Sequence, residues 1–267
     1  MSGWRISFTD AVADLGAGRE RRWLWGALGW NDVRQRHSGS LLGSLWISAN
    51  IVLLVACLTL VFGGALGESV RTYAPYVAIG LALWQFVNAS INEGSLVFVT
   101  ASESIRNSPL PLSLHVFRLI WRNLVVLAHH LVLLPLLILV FAITPGPAML
   151  LAVPGLILLT LFAFFAALLL GLLGARFRDI APVVGNFMQL LFFLTPVFWQ
   201  PGAIGPLAAR LAAVNPLTAL IDIVRAPLLG EAAHQLSWPI ALAATALAAA
   251  AALAALAGMR RRLAYWV

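Results

Sequence analysis

The sequence predicts an all-α polytopic membrane protein with six transmembrane helices. An N-terminal amphipathic helix precedes them, and short re-entrant helices lie between spans five and six. Three observations carry this reading. Of the 267 residues, 61% are hydrophobic and only 10% are charged, where a soluble domain carries about 25% charged residues. Six stretches are apolar enough to cross a hydrocarbon core about 30 Å thick, which takes roughly 20 residues as helix. Finally, the chain contains no lysine, so its 17 basic residues are all arginine and their positions alone orient it.

The first region is 1–44, read as a cytoplasmic N-terminus. Within it Trp23, Ala27, Trp30 and Val33 recur at helical spacing, while Arg22, Asp32 and Gln35 fall elsewhere on the turn. That pattern predicts an amphipathic helix in the cytoplasmic interface, with tryptophans at headgroup depth. A solvated arm is the plainer alternative. The transmembrane domain, 45–267, begins with an apolar span at 45–64. The second span, 73–99, carries Gln85, Asn88, Asn92 and Glu93. The third, 116–143, has Arg118 and Arg122 near its start. The fourth, 149–175, is almost purely apolar. The fifth, 183–199, is shorter and is closed by Pro196 and Pro201. The sixth, 238–259, is an alanine-leucine run.

Between the last two spans, five prolines divide the segment from Trp199 to Pro239. Leu207 to Val214 and Leu217 to Leu229 each read as a short helix, and Asn215-Pro216 starts a turn between them. Two short helices dipping into the outer leaflet would account for the apolarity. Irregular backbone at that depth is tolerated only where protein or a water-filled cavity covers it, which suggests an external gate.

The arginines are strongly partitioned. Fourteen lie before span one, around the second connection, in the fourth connection and at the C-terminal end; only Arg71, Arg210 and Arg225 lie on the other side. By the positive-inside rule both termini face the cytoplasm. The net charge of +7 therefore reflects membrane topology rather than nucleic-acid binding. The charged first 26 residues argue against a cleaved signal peptide. The single cysteine, Cys57, excludes a disulfide within the chain.

No catalytic or metal-binding set emerges. HExxH, CxxC and GxSxG patterns are absent, and the adjacent His129 and His130 point to different sides of a helix. Without lysine there is no Walker A loop, whose lysine reaches the nucleotide phosphates. Any ATP-driven work must use a second polypeptide. Glu93 is the notable ionisable group, because an acid inside a span is a functional candidate by default. Asn88 and Asn92 share a face near it, and Asn186 and Gln189 extend the polar set into span five. Two readings stay open: a polar stripe lining a hydrated conduit, or interhelical hydrogen bonding. Trp84 and Trp121 could offer stacking surfaces along a conduit, although belts and packing account for most of the aromatics.

Several stretches resemble the membrane subunit of ABC-2 type polysaccharide exporters, specifically the O-antigen or lipopolysaccharide permease. Asp32-Val33-Arg34-Gln35-Arg36 running to Ser40-Leu41-Leu42-Gly43-Ser44-Leu45-Trp46 is similar to that family's approach to span one. Asn92-Glu93-Gly94, Leu110-Pro111-Leu112-Ser113-Leu114-His115-Val116 leading to Trp121-Arg122-Asn123, and Arg176-Phe177-Arg178-Asp179-Ile180 follow. The chain departs from the pattern at Ser38-Gly39, where arginines are frequent, at Ser44 and at His130.

The resemblance implies a permease in the bacterial inner membrane that moves a lipid-linked O-antigen polysaccharide. Two copies would form the pore with two copies of a nucleotide-binding ATPase subunit, which would hold ATP and magnesium. This chain would carry no cofactor, metal or catalytic residue. The loop from Ala101 to Pro111 would hold the coupling helix, with Glu103, Ile105 and Arg106 as its contacts. Arg34 and Arg36 would frame the cytoplasmic entrance. Trp84, Asn88, Asn92, Glu93, Trp121 and Gln189 would line the channel. A teichoic acid or capsular polysaccharide exporter is the closest alternative. A membrane-embedded lipid-modifying enzyme is the alternative from another class.

Overall fold

The computed structural model describes residues 7–36, 45–65, 69–144, 146–201 and 204–267, and every regular element among them is helical. Helix α1 (Phe8–Glu20) starts at Ser7, whose hydroxyl accepts the Asp10 amide at 3.3 Å, an N-cap that satisfies one orphan donor of the first turn. Helix α2 (Arg22–Arg36) follows, then α3 (Leu45–Ala65). The serine-rich approach to span one, at 37–44, lies outside the described residues. Helix α4 (Val70–Ser95) is capped by Ser69. It ends before residue 99, giving way at Leu96 to the single turn α5 (Val97–Thr100) and to α6 (Ser102–Asn107).

The third apolar stretch is two helices in line, α7 (Leu112–Leu131) and α8 (Leu134–Phe141). The break falls just ahead of Pro135, which cannot donate an amide hydrogen bond and crowds the preceding turn. A 3₁₀ turn, Pro147–Leu151, leads into α9 (Ala152–Arg176), followed by α10 (Ile180–Leu194). Helix α10 stops five residues short of Trp199. Residues 195–199 form a loop instead, held by the Tyr76 hydroxyl donating to the Pro196 carbonyl at 3.1 Å and by Arg225 donating to the same oxygen at 2.7 Å. Helices α11 (Pro206–Val214) and α12 (Pro216–Leu228) meet at an 88° bend. The chain closes with α13 (Ser237–Met259), a 3₁₀ turn at Arg260–Arg262 and α14 (Leu263–Trp266).

Among the described residues, four helical stretches are long and apolar enough to cross a membrane: Val70–Ser95, Leu112–Phe141, Pro147–Arg176 and Ser237–Trp266. The bent α11–α12 pair makes a fifth if it is one broken span, and Ser48–Gly63 and Ile180–Leu194 are shorter apolar helices. Helix α4 is the hub, packing against α3, α7, α9 and α10. Its contact with α9 is the tightest. A Cβ at Gly94 would stand 2.6 Å from the Ala167 Cβ, and one at Gly174 would strike the Ser95 carbonyl. Small residues let backbones approach this closely where lipid tails supply no hydrophobic drive between helices.

The arginine-rich connections converge at one end of the bundle. Arg260 donates to the Asp10 carbonyl at 3.0 Å, tying the C-terminal turn to α1. Arg106 of α6 donates from Nε to the Val267 main-chain oxygen at 2.8 Å. The Arg176 guanidinium lies 5.5 Å from the Trp266 ring centroid.

Helix α2 has two faces. Trp25, Gly29 and Val33 turn toward α7; the Trp25 ring stacks 5.7 Å from Phe117 and meets Trp121 edge-on at 5.8 Å. Trp23 and Trp30 point away from the protein, 73% and 49% exposed. Val33, grouped with those tryptophans by spacing, belongs to the packed face. Three residues advance a helix by about 300°, so it stands about 60° round from Trp30, enough to bring it under α7.

Candidate functional site

Five charged side chains come together where α2, α4 and α7 meet. Asp32 and Arg36 are four apart on α2 and so share a face. Arg118 and Arg122 stand in the same relation on α7. Arg118 grips Asp32 with two hydrogen bonds, Nε to Oδ2 at 2.8 Å and Nη2 to Oδ1 at 2.5 Å. Arg122 Nη1 lies 3.8 Å from the same Asp32 Oδ2, and Arg122 makes a close ion pair with Glu93 of α4. Glu93 in turn accepts from Arg36 at 2.8 Å. The result is an alternating chain: Arg118, Asp32, Arg122, Glu93, Arg36. Three arginines against two carboxylates leave one net positive charge.

These groups line a cleft of about 330 Å³, with Thr100, Leu119 and His115 completing its wall. His115 is buried, and its Nε2 has no hydrogen-bond partner among the described residues. Asp32 and Arg122 are largely shielded, at 15% and 17% side-chain exposure, while Arg36 is 54% exposed. Removing one member of the shielded pair would strand a partly buried charge, a loss that reaches about 3–5 kcal/mol for fully buried pairs. The Arg36 contact, wetter, contributes about 0–1 kcal/mol to the fold. Arg36 is therefore the cation freest to exchange its partner for a bound anion.

The structure joins two groups of residues that the sequence reading kept apart. Arg36, assigned to the entrance, and Glu93, assigned to the channel, are direct partners. Glu93 lies near the end of α4, at the arginine-rich end, and is not a solitary mid-membrane acid. Arg34 sits on the exposed side of α2, away from the cleft. The remaining polar residues of α4 divide. Asn92 donates to the Asn88 side chain at 2.8 Å. Asn88 and Gln85 border a cavity of about 210 Å³ shared with Asn123 and His130 of α7, and the Asn123 amide reaches Ser90 at 3.2 Å.

Trp84 is buried against Phe192 of α10, ring centroids 5.5 Å apart, whereas Trp121 packs on α2. The two tryptophans have different ring partners. Gln189 and Asn186 are exposed on α10. In α6, Glu103 is exposed, Ile105 packs partly on the core, and Arg106 holds Val267. Sequence reasoning missed Asp32, Arg118 and Arg122 as site residues. Their signal was the paired four-residue spacing on two polar-faced helices.

This cleft lies wholly within a matched family region. The family described as ABC-2 type transporter matches residues 24–229. The chain belongs to that family. An O-antigen export system permease protein RfbA from Klebsiella pneumoniae is 23% identical over 195 residues, 71% of this chain and 74% of that protein. One of the same description from Myxococcus xanthus is 25% identical over 200 residues, covering 73% and 76%. The ABC-2 match runs from within α2 through α12, and so takes in every member of the charged cluster. It leaves out α1 and α13.

Proposed function

We propose that this chain is the permease subunit of an ATP-driven ABC exporter that moves lipid-linked O-antigen polysaccharide across the bacterial inner membrane. The observation that carries the reading is the charged cleft at the arginine-rich end of an ABC-2 transporter. Its arginines suit a phosphate-bearing lipid headgroup, since charge-assisted hydrogen bonds to phosphate are the strong ones. The names of the relatives, not the cleft, set O-antigen above teichoic acid or capsular polymer as the cargo.

In this reading α3 and α10 join the four long helices as spans, giving six crossings, and the α11–α12 bend is an external re-entrant pair. Convergence of the N-terminal helix, α6 and the C-terminal turn at one end supports an even count, with both termini cytoplasmic. The exposed tryptophan face of α2 rests on the headgroups. Helix α6 docks on a separate ATPase subunit that holds ATP and magnesium, in a complex of two permease and two ATPase chains.

The test is polymer export by the assembled complex carrying Arg36→Ala. Loss of one charge-assisted contact to phosphate should slow export about tenfold or more, with little change in melting temperature because the Arg36 pair is exposed. Export at the wild-type rate would remove the cleft from the transport path. Failure of an ATPase subunit to co-purify, together with lipid turnover by the isolated chain, would favour an enzyme instead.

A further inference from the structure

Toward the Val70 end of α4, away from the charged cleft along the helix, α3, α4, α8 and the end of α7 line an apolar groove of about 440 Å³. Its lining is almost wholly apolar, with Ile51, Val55, Ala74, Ala78, Leu134 and Leu137 among the walls. Along α4 it runs from Ala82 to Val70, about 18 Å at 1.5 Å per residue. One leaflet of a hydrocarbon core about 30 Å thick is about 15 Å deep, close to the length of the groove.

One end of the groove carries a cation. The Val70 end is closed by Phe141, and there Arg71 donates from Nε to the Phe141 carbonyl at 3.2 Å while its side chain stays exposed. Arg71 is one of three arginines away from the arginine-rich end. Within the groove, Thr59 is only 8% exposed, and its hydroxyl has no hydrogen-bond partner among the described residues.

We propose that this groove is a binding site for a glycerophospholipid of the outer leaflet, with an acyl chain between α3, α4 and α8 and the phosphate against Arg71. Two features select that occupant. A dry groove about as long as a leaflet is deep matches an alkyl chain. A guanidinium at its mouth matches a phosphate by charge. A second protein copy would fill the groove with side chains but would give Arg71 no anionic partner. The outward placement of Arg71 rests on the topology proposed above; the fit of chain and phosphate does not.

The experiment reconstitutes the full chain in bilayers of phosphatidylethanolamine and phosphatidylglycerol, extracts it gently and weighs the complexes by native mass spectrometry. Phosphatidylglycerol should be retained, and Arg71→Gln should weaken retention about fivefold, the factor one arginine contributes near an anionic lipid surface. Ala78→Phe, which fills the groove, should abolish it. Should that variant misfold, a phospholipid with a photoreactive acyl chain decides on the wild-type protein. Adducts at groove residues support the site; adducts spread evenly along the exposed face of α13 overturn it. Retention unchanged by Arg71→Gln, disulfide linkage of two chains through Ala56→Cys in a Cys57→Ser background, or displacement of phosphatidylglycerol by a polyprenyl phosphate would each overturn it as well.

Discussion

Among single side chains, Asp14 does the most with the least local warning. It is 2% exposed. Its carboxylate accepts the amides of Leu112 at 3.1 Å and Ser113 at 2.9 Å and lies 3.3 Å from Arg260. Helix α7 begins after Pro111 with no side-chain cap of its own, so a residue 98 positions before Leu112 supplies it. Anions are favoured at a helix N-terminus because its first amides are unsatisfied. Asp14→Ala should destabilise the chain by about 2 kcal/mol, read as a lowered unfolding midpoint in detergent. Asp14→Asn, which still accepts a hydrogen bond, should recover part of the loss. An unchanged midpoint for Asp14→Ala would refute the capping role. Glu93 teaches a related lesson. An acid at the centre of a span is costly by about 2.5–3.5 kcal/mol, which made it stand out in the sequence. In the fold it sits at a helix end between two arginines, where much of that penalty is offset.

At the scale of elements, α6 is six residues long and exposes Glu103, while Arg106 anchors it to Val267 beside α14. A short helix of this kind is a poor structure alone, since isolated helices below about 12 residues are marginal; the anchor holds it in place. If α6 couples to the ATPase, Glu103→Ala should lower polymer exported per ATP hydrolysed through a lost contact. Arg106→Ala should lower it through a loosened helix. Unchanged stoichiometry in both variants of the assembled complex would take the coupling role away from α6. Helix α2 shows the limit of periodicity. Its spacing announced a helix with an aromatic face, yet another face carries Asp32 and Arg36 into the cleft. The spacing of apolar residues along a sequence separates a greasy side from a polar one. It cannot show that the polar side also packs, through ion pairs, against a neighbouring helix.

For the whole molecule, the orientation is open to a direct check. In a Cys57→Ser background, cysteines at Ser69 and Gln235 should react with an impermeant reagent from outside the cell, and one at Ser104 should not. External labelling of Ser104 would overturn the six-crossing topology. The sequence by itself determined the class of protein and most of its long apolar helices. Those depend on local quantities: the length of an apolar run, the positions of proline, and the sign of charge between runs. The short helices Pro206–Val214 and Pro216–Leu228 were legible for the same reason, marked by Asn215-Pro216. What only the tertiary structure decided is which polar residues face one another. Arg36 meets Glu93 across 57 positions, Asp32 meets Arg118 across 86, and Asp14 meets Ser113 across 99. Helical periodicity places a residue on a face, but the rotation and neighbours of that helix are set by close packing, here by the glycine-lined approach of α4 and α9. A charged cleft assembled from three helices exists only once those rotations are fixed.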